Sequence, residues 1–485
     1  MIELSDILAS VPCKVTSQGS ESSCFTGIAT NSKNVESGQL FFALPGQSRD
    51  GHDFVSDALE SGATGAVVSK DVVVHREATL IKVQDTLEAL QALGTTIRRK
   101  YNPLVIAVTG SAGKTTTKDM IAHVVSRQYQ TVKSPSSYNN HIGVPLTLSK
   151  LTAKYSHAVV ELGMNHAGEI ASLSRMVEPD IGIITNIGLA HIGNMGTQAD
   201  ILREKATLFD HVKSGGTCII NGDDPLLRSL IPAIQESGRK LVTVGLDSAN
   251  DVWADGISRS GEALSGKIQY DDHSTKFLWK WGARHFVYAG LFSIASGLAC
   301  GVDAMQSAEA LGSFELPSGR LNSISIRPGL RVIDDSYNAS PDAMLSALET
   351  LRASSERVKV AVLGDMRELG SFANSCHEAV GRAAASAASH LITVGSAGDL
   401  VRRAAIQEGF DSRRAWSVAS PVEAYGIAQS IVDSSSQDCV ILLKGARFAH
   451  MERVRFSLTG VTVACDLTVC PLYINCSACP ELSAL

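Results

Sequence analysis

The feature that most constrains this chain is an apolar run, Leu104–Val108, followed at once by Thr109-Gly110-Ser111-Ala112-Gly113-Lys114-Thr115-Thr116-Thr117. The run reads as a buried strand, and Lys114 opens a helical pattern that continues to about Gln128. Small residues between strand and helix let backbone N–H groups close on phosphate oxygens, and the helix N-terminus adds partial positive charge. In such a loop Lys114 reaches the β/γ-phosphates and the Thr115 hydroxyl sits on Mg²⁺. The full phosphate-loop pattern asks for glycine at position 108, which is Val108 here, so the loop is a shortened variant. A Gly-Lys-Thr in a surface turn is the alternative, and the flanking strand and helix argue against it.

The same strand-then-helix alternation extends well beyond this loop. Strands read at 104–109, 157–163, 181–187, 217–221 and 241–245, with helix-period segments between them. This predicts a parallel sheet covered on both faces. Residues 251–281 break the rhythm with alternating, Trp-containing segments expected to form an antiparallel edge, and a helix is predicted from about His285 to Cys300. Beyond Pro317-Ser318-Gly319-Arg320 the alternation restarts, with strands at 331–335, 359–364, 390–395 and 439–443 and no second phosphate loop. Before residue 100 short strands mix with turns and end in a basic connector, Arg98-Arg99-Lys100-Tyr101-Asn102-Pro103. A chain of 485 residues exceeds the size at which single cores stop growing. The expected class is therefore α/β in three domains, at 1–100, 101–316 and 317–455, with an unassigned tail at 456–485.

Composition narrows the partners. A net charge of −6 gives no reason to expect nucleic acid or an anionic membrane, and no apolar run is long enough to span a bilayer. The N-terminus carries acids in a helix-like pattern rather than a signal peptide, so a cytoplasmic location is expected. Six of the ten cysteines are scattered without a pairing pattern. The other four, Cys465, Cys470, Cys476 and Cys479, crowd into the tail; Cys476-Ser477-Ala478-Cys479 is a CxxC, but Cys465 and Cys470 do not form its matching half. Ordinary thiols are expected there, with zinc as the alternative.

Polar groups gather where strands end, the rim at which open parallel sheets bind ligands. Glu161 ends the strand after the phosphate loop and is placed to hold Mg²⁺, and His191 follows the next strand in a glycine-containing loop. A solvated strand end and a solvated loop histidine are the plainer readings of these two. Later strands end in Asp334-Asp335-Ser336-Tyr337-Asn338, in Gly364-Asp365-Met366-Arg367-Glu368 and in Lys444-Gly445-Ala446-Arg447. Three polar rims on one sheet edge predict an acceptor site facing the nucleotide.

Taken together, these segments resemble the Mur ligases of peptidoglycan synthesis. The likeness rests on Asp334–Ala339, Leu363–Gly370 and Tyr138-Asn139-Asn140-His141-Ile142-Gly143-Val144-Pro145, with Glu161–His166 and the phosphate loop shared more widely, and it runs from about residue 25 to 455. It implies a small α/β domain for a UDP-sugar, a central P-loop-type parallel-sheet ATPase domain and a C-terminal Rossmann-like lid. The activity it implies is ADP-forming amide ligation through an acyl phosphate. Within the family the likeness is greatest to the member that adds D-alanyl-D-alanine to UDP-N-acetylmuramoyl-tripeptide, giving the pentapeptide precursor. A monomer is expected.

The resemblance also implies roles for residues. ATP would meet Gly110, Ser111, Ala112, Gly113, Lys114, Thr115, Thr116, His285, Arg320 and Asp335. Thr115 and Glu161 would hold one Mg²⁺ and His191 a second, with a carbamate on Lys205 supporting it. Lys114, Glu161, His191 and Lys205 would be catalytic; an exposed helical lysine is the other reading of position 205. Asn31-Ser32-Lys33, standing for the family's Asp-Ser-Arg, would bind the UDP-substrate with Asn139 and Asn140. Tyr337, Asn338, Lys444 and Arg447 would recognise the acceptor dipeptide or the tripeptide. Thr207, Phe286 and Ala289 depart from the family pattern, the first where it carries Glu and the others where it carries Asn. A ligase of the same architecture adding one amino acid, and a nucleotide-binding homologue with impaired catalysis, are the alternatives.

Overall fold

The computed structural model describes every residue except 18–23, 47–48, 464, 466, 468–469, 471–475, 477–478 and 480–485. Three large sheets carry it. The first has five strands in the order Cys13–Ser17, Thr79–Val83, Gly65–Val68, Leu40–Phe42 and Ile28–Ala29, parallel except for the Cys13–Ser17 edge. A two-residue strand, Ile2–Glu3, precedes the helix Leu4–Ser10 and pairs with Cys24–Phe25, so the helix-like N-terminal pattern begins three residues late.

The second sheet has nine strands. Leu104–Thr109 lies between His157–Glu161 on one side and Ile181–Ile184 on the other, both parallel to it. The chain runs outward from this strand first one way and then the other. The loop after it therefore sits at the topological switch point, where the flanking crossovers diverge and leave a crevice. Thr217–Asn221, Lys240–Gly245 and Val252–Ser260 continue the parallel order, and Ala263–Tyr270 and His273–Trp279 close the edge as an antiparallel meander. Phe277, Trp279 and Trp281 stack there, with centroid spacings of 4.1 and 4.7 Å.

The third sheet orders Asn322–Arg327, Leu330–Asp335, Cys439–Lys444, Val358–Gly364, His390–Val394 and Ala415–Val418, parallel after the first hairpin. Its central strands are buried on both faces, as their continuous apolar runs require.

Two strands are shorter than the sequence suggests. The strand from 157 ends at Glu161, after which Gly163 N turns to donate to Asn139 O, and the one from 181 ends at Ile184, where Thr185 and Asn186 turn to form the floor of the phosphate loop. The helix from Lys114 stops at Val125, and Thr86–Tyr101 is helical through the residues that read as a connector. Its Ala89, Leu90, Leu93 and Ile97 recur at helical spacing on the buried face. Arg98 is buried with them because its guanidinium donates to the carbonyls of Val177 (2.7 Å) and Glu178 (2.9 Å), binding the first sheet's last helix to the second sheet. Among the described residues no helix is long and apolar enough to cross a membrane.

Candidate active site

The phosphate loop owes its shape to backbone contacts that only small residues allow. Gly110 has φ 148°, and a Cβ there would stand 1.9 Å from Thr185 Oγ1. Ser111 N donates to Asn186 O (3.0 Å), Ala112 N to Asn186 Oδ1 (2.8 Å), and Thr185 Oγ1 to Ala112 O (2.7 Å). With these bonds made, the N-terminal N–H groups of the Lys114–Val125 helix face the crevice without helical partners. Val108 is interior strand, in register with Glu161, so the loop begins two residues later than the full pattern.

Lys114 folds back to donate to Gly110 O at 2.8 Å, and burial pulls its pKa down against the opposing pull of Glu161. One turn on, Lys118 is fully buried and donates to Ser134 O (2.8 Å) and Ser136 O (2.7 Å), fixing the loop that carries Ser137 and Asn139. Asn139 Nδ2 donates to Glu161 Oε1 at 2.8 Å. The other carboxylate oxygen, Oε2, is buried with no partner among the described residues.

Lys205 lies on the helix Gln198–Asp210 and is 1% exposed, which sets aside the surface-lysine reading. Burial first, and then the Lys114 ammonium, push its pKa well below the usual lysine range. Thr207 spends its hydroxyl on Glu204 O (2.6 Å), and Glu204 accepts from Gly168 N and Ile170 N at the start of another helix.

The third sheet presents its polar rim to this crevice. Arg320 Nη2 donates to Thr115 Oγ1 (3.1 Å), and Tyr337 OH donates to Ser137 Oγ (2.7 Å). The Tyr337 ring lies 3.9 Å from the Arg320 guanidinium and 5.0 Å from that of Arg447. His191 Nδ1 meets Glu368 Oε2, and Ser346 Oγ meets His285 Nδ1 at 2.6 Å. Gly193 N donates to Glu368 O, and a Cβ on Gly193 would stand 2.4 Å from Gly370 N, so the two rims touch backbone to backbone.

Together the rims enclose a cleft of about 1120 Å³. Ser111, Ala112, Gly113, Lys114, Thr115 and Thr116 line it, as do Asn139, Asn140, Glu161, His191, His285, Arg320, Asp335, Tyr337, Asn338, Lys444 and Arg447. Gly110 and Lys205 lie behind that lining. Asn31, Ser32 and Lys33 lie outside the cleft, on a short 3₁₀ turn of the first sheet that Asn31 caps through Lys33 N (3.1 Å).

Lys444 lines the cleft with its charge already paired: its side chain is 2% exposed and donates to Asp335 Oδ2 (2.5 Å) and Asn338 O (3.0 Å). Burial still raises the Asp335 pKa against that pairing. Phe286 and Ala289 are buried on the cleft wall beside Phe292, making that stretch of wall apolar; Tyr288 OH donates to Asp223 Oδ2 (2.8 Å) near it. Thr185, Asn186, Lys118, Ser137 and Glu368 escaped the sequence reading. Asn186 and Glu368 stood inside rim segments already noted, while Lys118, a lysine on the phosphate-loop helix, gave no distinguishing signal.

Comparison with known proteins adds an independent line. Three family descriptions match in succession: "Mur ligase family, catalytic domain" at 25–128, "Mur ligase middle domain" at 108–297 and "Mur ligase, glutamate ligase domain" at 319–447. The UDP-N-acetylmuramoyl-tripeptide–D-alanyl-D-alanine ligase of Bacillus subtilis is 33% identical over 90% of this chain and 93% of its own. That of Escherichia coli is 30% identical over 88% and 92%. A crystal structure of MurF from Acinetobacter baumannii superposes with a TM-score of 0.81 at 31% identity, covering 90% of this chain and 94% of that one. MurF from Thermotoga maritima in complex with ADP gives 0.77 at 25%, covering 90% and 97%. The chain belongs to the Mur ligase family.

Proposed function

We infer that this chain joins D-alanyl-D-alanine to UDP-N-acetylmuramoyl-tripeptide at the expense of ATP, forming the UDP-N-acetylmuramoyl-pentapeptide precursor of peptidoglycan. The reading is supported by relatives of that activity that match it nearly end to end. The observation that carries it is the charge at the switch point left unmatched among the described residues: a Glu161 oxygen without a partner, a buried Lys205, and Lys114 held only by a carbonyl. Buried charge left unpaired is costly, so such a set persists where ligand charge completes it.

In this reading the helix N-terminus and Lys114 hold the β- and γ-phosphates, and Arg320 reaches them from the opposite rim. The γ-phosphoryl group passes to the terminal carboxylate of the tripeptide. The amine of D-alanyl-D-alanine attacks the acyl phosphate, a C–N bond forms, and inorganic phosphate leaves. Thr115 and Glu161 would hold Mg²⁺, with His191 at a second; the orphaned Glu161 oxygen suits a hard cation. Bound there, Mg²⁺ supplies shielding between the attacking carboxylate and the polyphosphate. Lys205 fits a carbamate because its depressed pKa favours the neutral amine, the form that combines with CO₂. The two rims exclude water from the acyl phosphate, and Tyr337, Asn338 and Arg447 face the incoming dipeptide. Asn31, Ser32 and Lys33 take the uridine end. ATP and a UDP-linked substrate place the reaction in the cytoplasm.

Mass spectrometry of the product tests this, with a panel of UDP-muramoyl-peptides against D-alanyl-D-alanine and single amino acids. The expected outcome is a mass gain of one dipeptide, with ADP release requiring both substrates. Addition of a single residue, or ADP release without an acceptor, defeats the assignment.

A further inference from the structure

After the last strand of the third sheet the chain makes a 3₁₀ turn, Arg447–Ala449, passes His450 in a left-handed conformation (φ 46°), and enters the helix Glu452–Leu458. His450 and Glu452 are 1% and 2% exposed, and Cys476, at 4%, packs against them from the tail. His450 Nδ1 lies 3.0 Å from Glu452 Oε1 and 3.2 Å from Cys476 Sγ, while Cys476 N donates to the same Glu452 oxygen at 3.3 Å.

Three electron-rich atoms thus converge on one point inside the protein. A single proton on Nδ1 serves either the carboxylate or the sulfur, not both. The second atoms of both side chains, His450 Nε2 and Glu452 Oε2, are also buried without a partner among the described residues. The hydrogen bonds of the cluster thus reach only one atom of each of these two side chains, whereas a divalent cation would engage Nδ1, the carboxylate and the sulfur at once. Zinc–ligand lengths of about 2.0–2.3 Å put tetrahedral neighbours roughly 3.4–3.6 Å apart, slightly more than the observed spacings, so a small expansion admits the ion.

The fourth donor must move in. Cys479 N donates to Cys476 O at 3.0 Å, which keeps this second cysteine of the CxxC beside the first, while its sulfur stands outside the cluster of three, so closing the site requires the Cys479 side chain to swing toward it. Arg453 donates to Cys476 Sγ (3.4 Å) and to Cys465 Sγ (3.3 Å), which holds these tail thiols against the helix.

We propose that His450, Glu452, Cys476 and Cys479 form a structural zinc site that fastens the C-terminal tail to the Glu452–Leu458 helix. The mixed imidazole, thiolate and carboxylate set in a closed, buried position selects zinc over the hard Mg²⁺ of the catalytic cleft. The same helix carries Arg455, whose Nε lies 2.9 Å from Asp334 Oδ2, so the clip braces the strand end that bears the Asp335 rim.

The test uses the full, untagged chain purified in reducing, chelator-free buffer. Elemental analysis is expected to give one zinc per chain. Titration of the metal-depleted protein with Co²⁺ should give the thiolate-to-cobalt band of a tetrahedral site. Cys476→Ser and Cys479→Ser should each abolish stoichiometric metal, while Cys465→Ser keeps it. A wild-type protein that binds Co²⁺ without a thiolate band overturns the proposal even if the variants fail to fold. Cys476→Ser protein with undiminished zinc does the same, and loss confined to Cys465→Ser overturns Cys479 as the fourth ligand.

Discussion

The second and third sheets share a doubly wound plan, yet they treat charge at their strand ends in opposite ways. At the rim of the second, Glu161 keeps one oxygen without a partner among the described residues, Lys205 is buried beside another lysine, and Lys114 turns back on its own loop. At the rim of the third, Asp335 is matched by Lys444 across 109 residues of chain. Asp365 accepts from Ser396 N and Ala397 N, and Asp334 has Arg455 at ion-pair distance. In the function proposed above, ligand charge completes the first rim from outside; the other is completed from within and carries Arg320, Tyr337 and Arg447. Substitutions should therefore hurt activity at the first rim and stability at the second.

The largest effect on stability is expected from Lys444→Met. Removing the cation strands Asp335 in a buried site, a cost of about 3–5 kcal/mol for a broken buried pair. Urea unfolding measures it, and adding Asp335→Asn should recover most of the loss. A Lys444→Met protein as stable as the parent would mean that the third rim is no more self-completed than the second.

Lys114→Ala breaks the comparison from the other side. Loss of one preorganised group facing the transferred phosphoryl should cost about 10²–10³-fold in turnover. Stability should hold, since the Lys114 ammonium is bonded only to a carbonyl of its own loop among the described residues. Lys205→Ala comes next, with turnover falling about 10–100-fold, as for loss of a group that supports a metal ligand. Short carboxylates in the assay should restore part of it, and full activity of Lys205→Ala in CO₂-depleted buffer would remove the carbamate reading. Steady-state ADP release, paired with thermal unfolding, separates the two effects in both variants.

How much of this was legible follows the range of the interactions. The alternation of apolar strands with helical segments, the phosphate loop and the acidic strand ends are local patterns, and the sequence carried them. The floor of the loop was not legible, because Thr185 and Asn186 act only once their strand lies beside Leu104–Thr109. The pairing of Lys444 was not legible for the same reason: its partner, Asp335, is distant in the chain. Arg98 looked like part of a solvated connector because the carbonyls it binds, at Val177 and Glu178, belong to another element. In the tail, cysteine spacing carries no sign of His450 and Glu452, which precede Cys476 by 26 and 24 residues. Ser477 and Ala478 of the CxxC lie outside the described residues.

The smallest expected effect lies where the two rims meet, at Glu368 and His191. The hydrogen bond from His191 holds the Glu368 carboxyl below its ordinary value of 4.5. Such a group stabilises the folded form fully above that ordinary value and loses its contribution as pH falls through the lowered one. The Glu368 side chain is 43% exposed, so solvent screening limits the contribution to at most about 1 kcal/mol. Glu368→Gln should therefore be slightly less stable than the parent at neutral pH, and the difference should shrink toward zero as the pH drops below 4.5. Because the pair spans two sheets, the variant should also scatter as a more open molecule at neutral pH without ligands, and ATP with substrate should close it again. A stability difference that grows on acidification would reverse the assigned sign. A radius of gyration identical in both proteins would show that the contact follows from the closed arrangement of the rims and contributes nothing to holding it.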